Sequence, residues 1–215
     1  MKNMTAGSVF VLVLLLLFTN GCNRGKITDA RDGQIYQTVK LGDQTWLAQN
    51  LNYESDNSWC YDDDPANCET YGRLYNWEAA LTACPDGWHL PSDQEWATLI
   101  KYLDPEADSN AVGVESEIAG GMMKTRGTFE SGTGLWLSPN VGATNSSGFS
   151  AVPGGARWPD GTYLVLHMHA IFWTSTEYDA ETVWFRILDY GLKSLYRDHS
   201  NVTKPMGLSV RCVMD

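Results

Sequence analysis

The chain has 215 residues, 43% of them hydrophobic and 12% aromatic, which is enough for one ordinary domain or at most two small ones. Fifteen Lys and Arg stand against 26 Asp and Glu, a formal net charge of −11. That acidity excludes nucleic acid, whose phosphates need Lys and Arg, and charge-driven docking on anionic lipid.

The first element is a leader. Lys2 supplies a positive start, Val9 to Phe18 is an unbroken apolar run, and Thr19-Asn20-Gly21 leads into Cys22. This is the plan of a secretory signal peptide. The run is too short to cross a bilayer, which takes about 20 apolar residues. A cysteine at the cleavage point resembles the lipobox of bacterial lipoproteins, although Thr19 stands where that motif usually has Leu. The resemblance implies a signal peptide over 1–21 and diacylglycerol on the Cys22 thiol. It also implies attachment to a membrane through that lipid, in the outer envelope of a bacterium. Residues 1–22 hold one basic and no acidic residue, so the rest of the chain carries −12.

Residues 22–28 read as a short polar tether, and 29–215 as one domain. Asp32 to Asn50 predicts a hairpin: Ile35-Tyr36-Gln37-Thr38-Val39 is β-branched and aromatic, Gly42-Asp43 is a turn, and Gln44-Thr45-Trp46-Leu47 returns. Asp56 to Glu69 is a polar, acidic loop. Asn76 to Ala83 suits a short helix with Trp77, Ala80 and Leu81 on one face, broken by Pro85-Asp86-Gly87. Ser92-Asp93-Gln94-Glu95 is a capping box. Trp96, Leu99, Ile100 and Leu103 follow at i, i+3, i+4 and i+7, an amphipathic helix that ends at Asp104-Pro105.

From Gly120 onward, Gly, Ser, Thr and Pro recur between short apolar pieces. Strands are expected over 163–169, 171–175, 183–188, 192–196 and 208–213. Helices early and strands late indicate an α+β fold.

Beyond Cys22, four cysteines remain: Cys60, Cys68, Cys84 and Cys212. An even count in an exported chain implies disulfides, and four cysteines allow three pairings. The favoured pairing is Cys60–Cys68, a local clip, with Cys84–Cys212, a long closure. No Cys-x-x-Cys spacing supports a thiolate metal site.

Several strings then resemble one family. They are Gln44-x-Trp46-x-x-x-Asn50-Leu51, Tyr71-Gly72-Arg73-Leu74-Tyr75-Asn76-Trp77, and Cys84-Pro85-x-Gly87-Trp88-His89-Leu90-Pro91-Ser92-x-x-Glu95-Trp96. Later come Gly148-Phe149-Ser150-Ala151-x-Pro153-Gly154-Gly155, Phe172-Trp173-Thr174-Ser175-Thr176-Glu177 and Ser209-Val210-Arg211-Cys212. Their order and spacing resemble the Fibrobacter succinogenes major paralogous domain, found in exported bacterial lipoproteins. Leu90-Pro91-Ser92-x-x-Glu95-Trp96 is also similar to a string of the formylglycine-generating enzymes. That second likeness implies a C-type lectin-like fold with two helices, short irregular β-structure and neighbouring chain ends. Cys84–Cys212 pairing suits such a closed shape.

Candidate site residues follow from chemistry. His89 reads as part of a turn, bonded to backbone at the helix start. His167 and His169, two apart on one strand face, are a potential metal pair lacking a nameable third ligand. Asp62, Asp63, Asp64 and Asn67 offer oxygen ligands for Ca²⁺ but lack the EF-hand pattern, so a solvated acidic loop is the favoured reading. Glu115-Ser116-Glu117 has the same ambiguity. No cofactor is required by any motif. Trp46, Trp77, Trp88, Trp96 and Trp173 read as core. Trp59, Trp136 and Trp158, with Tyr61 and Tyr163, occupy polar or Gly-rich loops and are the candidates for a ligand-facing surface.

No nucleophile elbow occurs. The expected function is therefore non-catalytic: an envelope lipoprotein with a lectin-like domain for polysaccharide or a surface protein. Two alternatives stay open. One is an enzyme related to the formylglycine-generating group, which needs free thiols. The other is a structural envelope protein whose partner is itself or a neighbour.

Overall fold

The structure is a computed structural model, and it describes residues 24–215. The expected signal peptide and Cys22 lie outside the described residues. The hairpin forms where the alternation places it. Strands Ile35–Leu41 and Gln44–Leu47 pair antiparallel from Thr38↔Leu47 to Leu41↔Gln44, with Gly42 at φ 62° in the turn.

The expected tether is instead a strand. Arg24–Thr28 pairs antiparallel with Ile35–Leu41, from Arg24↔Val39 to Thr28↔Ile35. Its polarity reflects an edge position, with Gly25, Lys26 and Thr28 exposed. Asp29 closes the preceding turn: its carboxylate accepts from the Arg31 backbone N–H at 3.0 Å and from the Arg31 side chain at 2.7 Å.

Residues expected as one strand, 208–213, divide between two sheets. Val213–Met214 pairs with Gln44–Leu47 and with Trp88–His89, completing a five-stranded sheet that contains both ends of the described chain. Leu208–Ser209 enters a seven-stranded sheet. Its order is Ser58–Trp59, Leu74–Tyr75, Leu208–Ser209, His169–Glu177, Val183–Asp189, Leu195–Asp198 and Gly113–Ser116. The contact of Leu208–Ser209 with His169–Glu177 is parallel. A two-stranded ribbon, Ala156–Arg157 with Tyr163–Leu164, forms a separate sheet bridged to Gly207 through Arg157. The strand expected over 163–169 stops early because Val165 and His167 adopt positive φ, 57° and 64°.

Among the described residues, four α-helices accompany the sheets: α1 (Pro65–Tyr71), α2 (Trp77–Ala83), α3 (Asp93–Leu103) and α4 (Ala119–Met123). The fold is α+β, as expected, with two more short helices than the sequence suggested. In α3 the capping box is complete: Ser92 Oγ accepts from Glu95 N–H at 3.2 Å, and Glu95 accepts from Ser92 N–H at 2.7 Å. In α2, Ala83 rather than Leu81 joins Trp77 and Ala80 inside; Leu81 is exposed.

The apolar faces build two core clusters. In the first, α3 lays Trp96 against Trp46 (ring centroids 5.0 Å apart), Phe149 and Phe172. In the second, Trp77, Tyr75 and Trp173 pack with Leu47, Leu90 and Cys212. In the second cluster the Trp173 indole donates to Tyr75 O at 2.7 Å and that of Trp77 to Thr174 O at 2.9 Å. Both favoured cystines are present, Cys60–Cys68 and Cys84–Cys212.

Several charges are buried. Arg186 pairs with Asp93 and Glu115, and Arg197 pairs with Asp93, which ties the start of α3 to the large sheet. Lys124 is fully buried and donates to Asp189 O and Leu192 O at 2.8 and 2.7 Å; desolvation pulls its pKa down to about 8.

Candidate functional site

Trp59 ends its strand opposite Leu74, and the chain then turns through Cys60 into a single 3₁₀ turn, Tyr61–Asp63. Asp62 and Asp63 hold φ near 54°, a conformation that Asp tolerates better than most residues. Asp64 caps α1 by accepting from Ala66 N–H at 3.0 Å, with Pro65 at the first helical position. Asn67 donates to Tyr61 O at 2.9 Å. The Cys60–Cys68 cystine closes this turn.

The ribbon supplies the other wall. Its turn, Trp158 to Thr162, is held by Trp158 N–H to Thr162 O at 2.8 Å and by Gly161 at φ 94°. Alternation sends Arg157 and Tyr163 to one side and Ala156, Trp158 and Leu164 to the other. The Arg157 guanidinium lies 4.1 Å from the Trp59 ring centroid and 5.7 Å from that of Tyr163. Tyr163 in turn packs on Tyr61 at 5.1 Å, and its hydroxyl donates to Asp63 Oδ1 at 2.6 Å. Burial, reinforced by that Asp63 contact, pushes the Tyr163 phenol up to about 12, so it remains a donor. Gly207 allows the close approach: a Cβ there would lie 3.0 Å from Arg157 Cβ and 3.3 Å from Trp59.

Trp59, Arg157, Tyr163 and Tyr61 thus form one continuous row. Trp59 and Asp63 line a cleft of about 600 Å³, together with Asp32, Glu54, Glu69 and Arg73. Behind the ribbon is a second, apolar hollow of about 280 Å³, lined by Trp158, Leu164, Ile171, Phe185 and Met206. Arg73 crosses the wall of the first cleft. Its Nε donates to Ser58 Oγ at 3.0 Å, and its Nη2 meets Glu54 at 3.1 Å.

Three of the five aromatic candidates, Trp59, Tyr61 and Tyr163, are therefore brought together, and Trp158 lies on the other side of the ribbon. Trp158 is 38% exposed, Trp59 and Tyr163 are half-buried, and Tyr61 is 8% exposed, so Tyr61 backs the row rather than facing solvent. Trp136 is corrected. It is 0% exposed in the first core cluster, its indole donating to Thr125 Oγ1 at 3.0 Å and Ala151 O at 3.2 Å. The Gly-rich segment around it folds back, so it offers no ligand-facing surface.

The histidine pair is also corrected. His167 lies in the left-handed turn, its Nδ1 2.8 Å from Leu135 O, while His169 meets Asp189 at 2.8 Å. His89 bridges two carboxylates rather than backbone: Nδ1 lies 2.6 Å from Asp215 and Nε2 2.7 Å from Glu95. Despite opposition from burial, these two partners raise its pKa. Asp63 and Asp64 are engaged by Tyr163 and the α1 cap. Glu115 is ion-paired with Arg186, and Ser116 donates to Asp104 at 2.6 Å. Among the described residues, no group of three or more His, Cys, Asp or Glu side chains converges as a metal cluster would.

Arg157 and Arg73 were not singled out by sequence. The only local hint is that Arg157 precedes Trp158 in a turn-rich segment, and Arg73 lies inside one of the family strings.

The buried ends of those strings meet in space. Asn50, Tyr71 and Arg211 come from three different strings. Asn50 donates to Tyr71 O at 2.8 Å and accepts from Arg211 at 2.6 Å. No curated protein and no solved structure matches the chain. Residues 39–214 match the model of the Fibrobacter succinogenes major domain, and the chain belongs to that family.

Proposed function

We propose that this protein is a non-catalytic lipoprotein of the bacterial outer envelope, anchored by lipid on Cys22, whose domain binds a polysaccharide. The observation that carries this reading is the aromatic row beside the 600 Å³ cleft. A sugar ring presents an apolar C–H face and a rim of hydroxyls. Trp59 offers an aromatic surface at the cleft, while Asp32, Gln34, Asn52, Glu54 and Glu69 offer acceptors and amide donors at its rim. The volume of the cleft fits the size range of ligand sites.

Two further features support the reading. All four cysteines in the described residues are in cystines, which favours binding over formylglycine-type thiol chemistry. Few helices, short strands and both described ends in one sheet accord with a C-type lectin-like architecture.

The test is a glycan array followed by calorimetry on the secreted protein carrying Cys22→Ser. A neutral polysaccharide should bind saturably, and Trp59→Ala should weaken it at least about tenfold, in line with the cost of losing a central aromatic contact. Absence of saturable binding across a broad array would overturn the proposal. Cell fractionation tests the anchor: Cys22→Ser should move the protein from membrane to soluble fractions.

A further inference from the structure

We infer that Cys60–Cys68 is an exchange-competent disulfide, open to attack by a thiol from the acidic cleft, whereas Cys84–Cys212 is a structural tie. Both sulfurs of the first cystine belong to residues lining the 600 Å³ cleft. Arg73 Nη1 lies 3.7 Å from Cys60 Sγ and 3.6 Å from Cys68 Sγ. Ser58 holds that guanidinium in place, and the largely exposed Glu54 offsets part of its charge. A fixed cation beside both sulfurs favours thiolate over thiol, and exchange is faster when the departing thiolate is stabilised. In the other cystine Cys84 is also half-buried, but Cys212 is 0% exposed within the second core cluster, and neither residue lines this cleft.

Cys60 is the more exposed residue, being half-buried while Cys68 is 5% exposed on α1. The thiolate of a dithiol reductant attacks Cys60 Sγ. The Cys60–Cys68 bond breaks, and its electron pair leaves on Cys68 Sγ beside Arg73. The second thiol of the reductant, after losing its proton to solvent, attacks the reductant's own sulfur in the mixed disulfide. That releases Cys60 as a thiolate, and the two cysteine thiolates take up two protons in equilibrium with water. The reductant leaves as a cyclic disulfide, oxidised by two electrons, and the cystine is reduced by two.

The carboxylates lining this cleft are Asp32, Glu54, Asp63 and Glu69. They select the reductant: a neutral or cationic thiol is admitted, and an anionic one is repelled. Reduction also frees the turn Tyr61–Asp64, which lies inside the closed loop and holds Asp63 against Tyr163. The inference does not depend on which ligand the cleft takes.

The test is timed reduction of the intact protein with dithiothreitol, quenched by alkylation and read by mass spectrometry for each cysteine. Cys60 and Cys68 should be labelled roughly tenfold or more faster than Cys84 and Cys212. Cysteamine should outpace glutathione at equal thiolate concentration. Arg73→Gln should slow the Cys60–Cys68 reaction several-fold and Arg73→Lys should largely restore it, with Cys84–Cys212 still protected as a report of intact folding. Should Arg73→Gln expose Cys84–Cys212 as well, Glu54→Gln decides. Glu54 is 81% exposed, and its neutralisation should speed reduction by leaving Arg73 uncompensated. Equal rates for the two cystines, an Arg73→Gln protein as fast as the parent, or a slower Glu54→Gln protein would each overturn the inference.

Discussion

Arg211 reaches Asn50 across 161 positions of sequence, Nη2 to Oδ1 at 2.6 Å, with Arg211 fully buried. The guanidinium also donates to Leu47 O at 3.1 Å and to Phe149 O, and its carbon lies 4.2 Å from the Phe149 ring centroid. Its hydrogen-bond partners are neutral oxygens, and burial pulls its pKa down to about 9. The charge is held by dipoles and an aromatic face that join the hairpin, the Phe149 loop and the C-terminal segment.

Removing either member should therefore unlock that junction. Arg211→Met should cost about 1–3 kcal/mol or more, because Asn50 Oδ1, Leu47 O and Phe149 O lose their buried donor. Asn50→Ala should cost about 1–3 kcal/mol, because it leaves one donor of Arg211 unpaired. Urea unfolding of both variants and the double variant measures this, and a loss below about 1 kcal/mol for Arg211→Met would show that the charge is not integral to the junction.

The two cystines should differ in worth. Cys84–Cys212 spans 128 positions and Cys60–Cys68 spans 8. Chain entropy assigns about 5 kcal/mol to the former and about 2.5 kcal/mol to the latter. Paired Cys→Ala variants, compared by denaturant midpoint, should rank in that order; the reverse ranking would refute an entropic origin.

His89 should make stability depend on pH. Its folded pKa is raised by Asp215 and Glu95, so its contribution is fully present below the unfolded value near 6.5 and is lost as pH rises through the folded value. Glu95 is held below its ordinary range by hydrogen bonds from Ser92 and by His89, despite burial, so its share is lost in acid below about 4.5. His89→Asn should thus cost about 0.5–1 kcal/mol near pH 5.5, discounted for the 40% exposure of the ring, and almost nothing near pH 8.5. Unfolding curves for parent and variant at the two pH values test the sign.

Trp136 and Trp158 should behave oppositely. Trp136→Ala empties a fully buried site and should destabilise by about 3–5 kcal/mol. Trp158→Ala, at an exposed turn, should stay within about 0.5 kcal/mol of the parent. Thermal unfolding of the pair separates them.

The parts legible in sequence share one property: their determinants are local. The α3 cap and its apolar period lie within a dozen residues, and the hairpin turn lies between its own strands. α4 was hidden because Ala-Gly-Gly-Met-Met has poor helix propensity. Its glycines answer a tertiary demand, since a Cβ on Gly120 would sit 2.1 Å from Ser194 O. Trp136 and Trp158 occupy similar Gly-rich surroundings, and only the path of the chain turns one inward and the other out. The aromatic row was half legible. Its rings could be nominated by residue type, but Arg157, which joins Trp59 to Tyr163, acts through contacts across about 100 positions.

The edge strand Arg24–Thr28 has a consequence for reach. With the proposed acyl chains on Cys22, Asn23 alone separates the anchored residue from backbone already locked in a sheet. At about 3.5 Å per extended residue, the leash is shorter than 10 Å. The globule would then ride against the headgroups instead of sweeping a volume above them, and the proposed polysaccharide would have to come down to the bilayer.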